Sequence, residues 1–87
     1  MTYVYVLYSQ TIDDLYYGVT HDLKRRLREH NNGGEKYTSR ADDWKFVYIE
    51  GYRAESDAKD RERKLKGYGA AYGHLKNRIE DSIDKLK

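Results

Sequence analysis

The chain contains no cysteine. This removes disulfides, thiolate zinc sites and cysteine nucleophiles together. No apolar run approaches the ~20 residues that a membrane span requires. The opening Met1-Thr2-Tyr3-Val4-Tyr5 lacks the basic stretch that introduces a secretory signal. A cytoplasmic location without a membrane partner is therefore the expectation. Length is scarce as well. The 87 residues suit one small domain spanning 1–87, which excludes barrels, doubly wound nucleotide folds and multidomain enzymes. A domain of this size buries roughly 60–65% of its unfolded surface. Without staples it rests on packing alone.

Phenylalanine and tryptophan are also scarce, at one each, whereas tyrosine occurs ten times. Tyrosine packs like phenylalanine but carries a hydroxyl that needs a partner or solvent. Many of these rings are expected half-buried along a groove. Net charge is only +2, but it is unevenly spread. Residues 1–20 carry −2, residues 21–40 +3, residues 41–60 −3 and residues 61–87 +4. The basic clusters are Lys24-Arg25-Arg26-Leu27-Arg28 and Arg61-Glu62-Arg63-Lys64-Leu65-Lys66. Such clusters form either an anion-binding face or two solvated helix faces.

The pattern along the chain predicts an α+β fold, a small three-stranded sheet with flanking helices in the order ββαβαα. Tyr3–Tyr8 is a β-branched and aromatic run, read as a strand. After the polar turn Gln10–Asp14, Leu15–Val19 is a second strand that pairs with it as a hairpin. Thr20 or Asp22 caps a helix from about His21 to His30, and Gly33-Gly34 ends it. Trp44–Gly51 is the third strand. Ser56 caps a second helix running to about Lys66, where Gly67 stops it. A last helix from about Ala70 to Leu86 carries the stripe Leu75, Ile79, Ile83 and Leu86. The glycines at 67, 69 and 73 do not match a dinucleotide loop, and no strand precedes them, so they read as a helix-to-helix turn. His21, His30 and His74 have no zinc spacing.

Some polar residues fall where the pattern calls for apolar ones. At about 100° per residue, Leu23 and Leu27 define the inner stripe of the first helix. His30 lies about 40° from its centre and Arg26 about 80°. The two are also i, i+4 neighbours. His30 is then a partly buried helix cap with Arg26 snorkelling outward, or a member of a site. In the second helix Ala58, Glu62 and Leu65 share one face, placing Glu62 mid-stripe. A buried carboxylate without a partner costs several kcal/mol. Glu62 therefore needs a cation, either an ion-pair partner such as Arg26 or a metal. Mg²⁺ suits a site of one carboxylate, waters and a substrate phosphate. Tyr5 lies mid-strand, and Tyr16 lies in the neighbouring strand before Tyr17-Gly18. A glycine inside a strand marks a bulge or a close backbone approach.

Taken in order, these pieces resemble the GIY-YIG nuclease superfamily, in particular short stand-alone members similar to the nuclease domain of the enzyme that makes the incision in excision repair. Val4-Tyr5-Val6 resembles the GIY element and Tyr16-Tyr17-Gly18 the YIG element, eleven residues on. Arg26 and His30 match the helix motif. Lys36-Tyr37-Thr38-Ser39-Arg40 followed by Trp44-Lys45-Phe46-Val47-Tyr48 resembles the strand signature. Glu62, before a basic run ending in Leu65-Lys66-Gly67, matches the metal-binding glutamate. The resemblance covers about residues 3 to 68. It departs from the pattern at Val4, Val6 and Tyr17, and at Asp43, where relatives often have proline. The late supporting asparagine has no clear counterpart, so Asn77 and His74 stay unassigned.

The resemblance implies a metal-dependent endonuclease that hydrolyses phosphodiester bonds in DNA, in repair or processing. Tyr5 or Tyr16 orients and deprotonates water, Arg26 grips the phosphate, His30 relays the proton, and Glu62 holds one Mg²⁺ or Mn²⁺. Arg25, Arg28, Lys36, Arg40, Lys64 and Lys66 are candidate contacts to the nucleic-acid backbone, which add affinity without sequence reading. Nothing looks like a recognition helix, so cleavage is expected to be structure-selective or weakly specific. A larger repair complex or a homodimer stays open. The alternative is a non-catalytic nucleic-acid-binding domain of the same fold. A third reading makes Glu62 and Arg26 a merely structural ion pair.

Overall fold

The computed structural model describes residues 1–67 and 69–87. Tyr68, inside the stretch read as a helix-to-helix turn, lies outside the described residues. The elements are β1 (Thr2–Ser9), β2 (Asp14–Thr20), α1 (Leu23–Asn31), a 3₁₀ turn (Thr38–Arg40), β3 (Lys45–Tyr52), α2 (Glu55–Lys66), α3 (Ala70–Arg78) and α4 (Glu80–Leu86). The α+β class and the three-stranded sheet are as predicted. All strand pairs are antiparallel, in the order β2-β1-β3.

β1 is central, which explains its unbroken apolar run, since a strand covered on both faces has no solvated side to mark with polar residues. Its alternation sorts the core into two layers. Val4 and Val6 face α2 and α3, packing with Tyr17, Ala58, Leu65, Leu75 and Ile79. Tyr5 and Leu7 face α1 and the 3₁₀ turn, packing with Trp44, Tyr16, Leu23, Leu27 and Phe46. A bulge between Val6 and Leu7 shifts the pairing with β3, so that Tyr48 opposes Val6 and Phe46 opposes Leu7.

Several local expectations are corrected. The final helix is not continuous, because Ile79 adopts φ −104°, ψ 12° and separates α3 from α4. The apolar spacing could not reveal the bend. Ile79 N–H still donates to the Leu75 carbonyl and Ile83 N–H to the Ile79 carbonyl, so the stripe survives it. The stretch Lys36–Arg40 is no strand. Thr38–Arg40 forms a 3₁₀ turn closed by local bonds, such as Ser39 N–H to the Glu35 carbonyl at 2.9 Å. α2 begins at Glu55 behind Ala54, and Ser56 lies inside it rather than capping it. At α1 the cap is Asp22, whose side chain accepts from Arg25 N–H. Gly33, at φ 79°, supplies the left-handed residue after α1. Asp43, the residue found where proline was expected, ties down the β1–β2 turn by accepting from the Ser9 hydroxyl and from Thr11 N–H and Oγ1.

α2 is fastened to β3 by a polar clamp. The Glu50 carboxylate accepts from Tyr48 Oη at 2.7 Å, from Tyr52 Oη at 2.6 Å and from Arg61 at 3.0 Å through each of Nε and Nη2. Burial pushes the Glu50 carboxyl up, but the bonds from Arg61, Tyr52 and Tyr48 outweigh it and hold it below the ordinary glutamate range. A depressed folded value stabilises the fold above the unfolded value of about 4.3. That contribution is lost as pH falls through the lower folded value. Thermal melts between pH 6 and 3 are expected to show this acid limb, and Glu50→Gln to flatten it. At neutral pH Glu50→Ala should cost about 1–3 kcal/mol, because it leaves Arg61 and two phenols short of an acceptor.

Candidate active site

Five residues singled out from the sequence gather beside the β1–β2 hairpin. Tyr5, on the central strand and 1% exposed, places its hydroxyl 2.7 Å from His30 Nε2 at the end of α1. Tyr16, on β2, lies with its ring centroid 4.8 Å from that of His30 and 6.5 Å from that of Tyr5. The backbone approach inferred at Gly18 is present. Gly18 opposes Tyr5 across the ladder, and the phenol lies over it where a Cβ would stand.

Arg26, one turn before His30, sits against the Tyr5 hydroxyl. Its guanidinium donates to Glu29 at 3.0 Å and to Glu35 at 3.4 Å. Burial works against its charge, but Glu29 and the neighbouring phenols more than offset this, and it stays ionised above the ordinary arginine value. Burial likewise pushes the Tyr5 phenol up, to about 12, with Arg26 opposing the rise. His30 is fully buried and not merely a helix cap. Burial first, then the Arg26 charge, pull it down to about 4, so it is neutral at physiological pH.

Glu62 reaches the same region from α2. Its side chain is 23% exposed, its field is felt at Tyr5, and its carboxylate lies 3.4 Å from Lys66 Nζ. Lys66 Nζ in turn stands 5.6 Å over the centroid of the Tyr16 ring. The expected Glu62–Arg26 ion pair is therefore not formed. Glu29 and Glu35 hold the guanidinium, and Lys66 is the cation at Glu62. Among the described residues there is no group of three or more histidine, cysteine, aspartate or glutamate side chains able to cage a metal. A lone, partly solvated carboxylate fits an ion that keeps most of its waters and binds substrate phosphate, as Mg²⁺ and Mn²⁺ do. It does not fit a zinc-like all-protein site.

Of the six candidate backbone contacts, Arg25, Arg28 and Lys36 are exposed. Arg40 stacks 4.4 Å over Tyr37 and pairs with Asp14, while Lys64 pairs with Asp60. Lys66 belongs to the site itself. Asn77 is exposed on α3 and lines a cavity of about 460 Å³ shared with Tyr17 and Tyr72, and His74 is exposed on the same helix. Sequence reasoning missed the parts played by Thr38, Glu35 and Glu29. Their link to the site is a set of hydrogen bonds between loop and helix, which leaves no periodicity to read.

Comparison with known proteins agrees with this arrangement. A family model described as the GIY-YIG catalytic domain matches residues 1–78. The chain belongs to the GIY-YIG family. Within it, the chain is 40% identical over 67 residues to a UPF0213 protein of Clostridium perfringens, covering 76% of this chain and 71% of that one. It is equally similar over 67 residues to a UPF0213 protein of Haloquadratum walsbyi, covering 76% and 74% of the two chains. The solution NMR structure of a UPF0213 protein from Bacillus halodurans superposes with a TM-score of 0.49 at 27% identity, covering all of this chain and 86% of that one. Among the described residues of this GIY-YIG chain, no helix is long and apolar enough to cross a membrane.

Proposed function

We propose that this GIY-YIG domain is a metal-dependent endonuclease acting on DNA, structure-selective or weakly specific, in repair or processing. The observation that carries the reading is the convergence of Tyr5, Tyr16, Arg26, His30 and Glu62 from four elements onto one partly solvated site. Phosphodiester hydrolysis needs an oriented water, neutralised phosphate oxygens and a stabilised leaving alkoxide. Tyr5 orients the water. Its own proton is engaged by His30, and burial opposes its ionisation. Deprotonation then falls to Tyr16, which has the Lys66 ammonium over its ring. Arg26, permanently charged, offers a planar fork to the phosphate. Glu62, displaced from Lys66, would hold one Mg²⁺ or Mn²⁺ together with waters. Such an ion supplies charge neutralisation at the phosphate and the leaving oxygen.

The test is a cleavage panel of forked, flapped, nicked and linear DNA with Mg²⁺ or Mn²⁺, run beside the Glu62→Ala variant. Cleavage by the wild type and not by the variant is the expected result. Salt-dependent binding with no cleavage of any substrate would instead favour the non-catalytic reading. Binding itself should follow the exposed basic residues. Replacing Arg25 and Arg28 together with alanine is expected to weaken binding to all sequences alike. It should also reduce the slope of log K against log salt by about 2, read from titrations between low and moderate salt.

A further inference from the structure

We propose that Thr38 is a positioning residue of this site, whose hydroxyl fixes the tautomer of His30 so that Nε2 accepts the Tyr5 hydroxyl proton. The proposal rests on the nuclease reading above for its meaning but not for its geometry.

Counting hydrogens along the chain of contacts settles who donates. Thr38 Oγ1 lies 3.3 Å from the Glu35 carbonyl oxygen, which can only accept, so the single hydroxyl hydrogen points there. The same Oγ1 lies 2.7 Å from His30 Nδ1. With its hydrogen already committed, it can only accept from His30, so Nδ1 carries the proton. A neutral imidazole then has a bare Nε2, and the Tyr5 hydroxyl 2.7 Å away is its donor. The far end of the chain agrees. Arg26 donates toward the Tyr5 oxygen, so a protonated Nε2 would leave that oxygen with two donors and the phenolic hydrogen with no acceptor. His30 and Thr38 are both fully buried and Tyr5 is 1% exposed, so solvent is not at hand to correct a wrong tautomer.

Thr38 is itself held in place. Its carbonyl accepts from Trp44 Nε1 at 2.8 Å, and Trp44 is 1% exposed. Glu35, which receives the Thr38 hydroxyl through its carbonyl, also meets Arg26 through its carboxylate at 3.4 Å. The segment 35–38 therefore steadies both the guanidinium and the imidazole. With the tautomer set this way, the Tyr5 proton points inward to His30 and an oxygen lone pair is left for a water. With the opposite tautomer the phenolic hydrogen would point into the site and compete with that water.

The experiment uses the whole protein and two readouts. Long-range ¹H–¹⁵N spectra of the wild type should show His30 protonated at Nδ1 and bare at Nε2. Thr38→Val keeps the side-chain shape and loses both hydroxyl roles, and its spectrum should show that pattern lost. On forked DNA with Mn²⁺, kcat of this variant should fall 10- to 100-fold, on the order seen for residues that orient a functional histidine. KM should stay within about twofold, and Thr38→Ser should restore most of kcat. A wild-type His30 protonated at Nε2 overturns the proposal whatever the activity, and needs no folded variant. So does a Thr38→Val protein with the wild-type spectrum and kcat. If the wild type cuts no DNA, the nuclease reading fails and the spectra decide alone: a pattern lost in Thr38→Val supports the hold of Thr38 on His30, and a pattern retained refutes it.

Discussion

Replacing Glu62 with glutamine is expected to lower DNA cleavage roughly 10³-fold, the several kcal/mol that a bound ion contributes to charge stabilisation in the transition state. The fold should hardly notice. Among the described residues, Glu62 forms its ion pair with Lys66, an i, i+4 contact to a side chain that is 48% exposed. Pairs of this kind contribute at most about 0.5 kcal/mol, so the melting temperature should shift by a few degrees at most. This separation of activity from stability is what distinguishes a metal-holding carboxylate from a structural one. A Glu62→Gln protein that cleaves within about threefold of wild type would remove Glu62 from the mechanism. Direct Mn²⁺ titration gives a second check, because the wild type should bind the ion measurably more tightly than the variant even without DNA.

The second large effect is expected at Gly18. A methyl group there would stand 2.9 Å from Tyr5 Cε1 and closer still to Cζ and Oη. No rotation of a flexible tip relieves the overlap, because Tyr5 is a rigid ring on the central strand, packed edge-on against Phe46 and bonded to His30. Gly18→Ala must move the phenol, break its bond to His30 or part the two strands. Overpacking of this kind costs about 1–3 kcal/mol or more, and cleavage should be lost with the Tyr5 geometry. A double-mutant cycle tests the diagnosis. In a Tyr5→Leu background the same glycine substitution should cost much less, whereas equal costs in both backgrounds would mean that the ring is not the obstacle.

Much of this site is legible from local rules. Helical spacing puts His30 near the inner stripe and Glu62 in the middle of one, and the glycine in β2 marks the close approach of Tyr5. What spacing cannot convey is which opposite charges find each other. Arg26 is flanked by Glu29, three residues on in the same helix, and by Glu35 in the following loop, and both reach it before Glu62 can. Lys66 reads as a phosphate contact but turns back one helical turn onto Glu62. Thr38 falls within a strand signature, yet its importance comes from a hydroxyl bonded to a ring eight residues away. Such contacts depend on where the loop after α1 comes to rest, which is decided by Trp44 docking into it. The bend at Ile79 stays hidden for a related reason, since the same core residues serve a straight helix and a broken one.

The double-sided burial of β1 has an evolutionary consequence. Tyr5 and its neighbours Val4 and Val6 are consecutive links of one strand, so the reactive layer and the oily layer share a backbone. Glu62 likewise rides on the helix whose Ala58 and Leu65 fill the opposite layer. A methylene lost beneath α2 would be transmitted as a displacement of the carboxylate above it. In so small a chain no inert scaffold insulates chemistry from packing. Drift in the interior should therefore be purged as strictly as drift at the site itself.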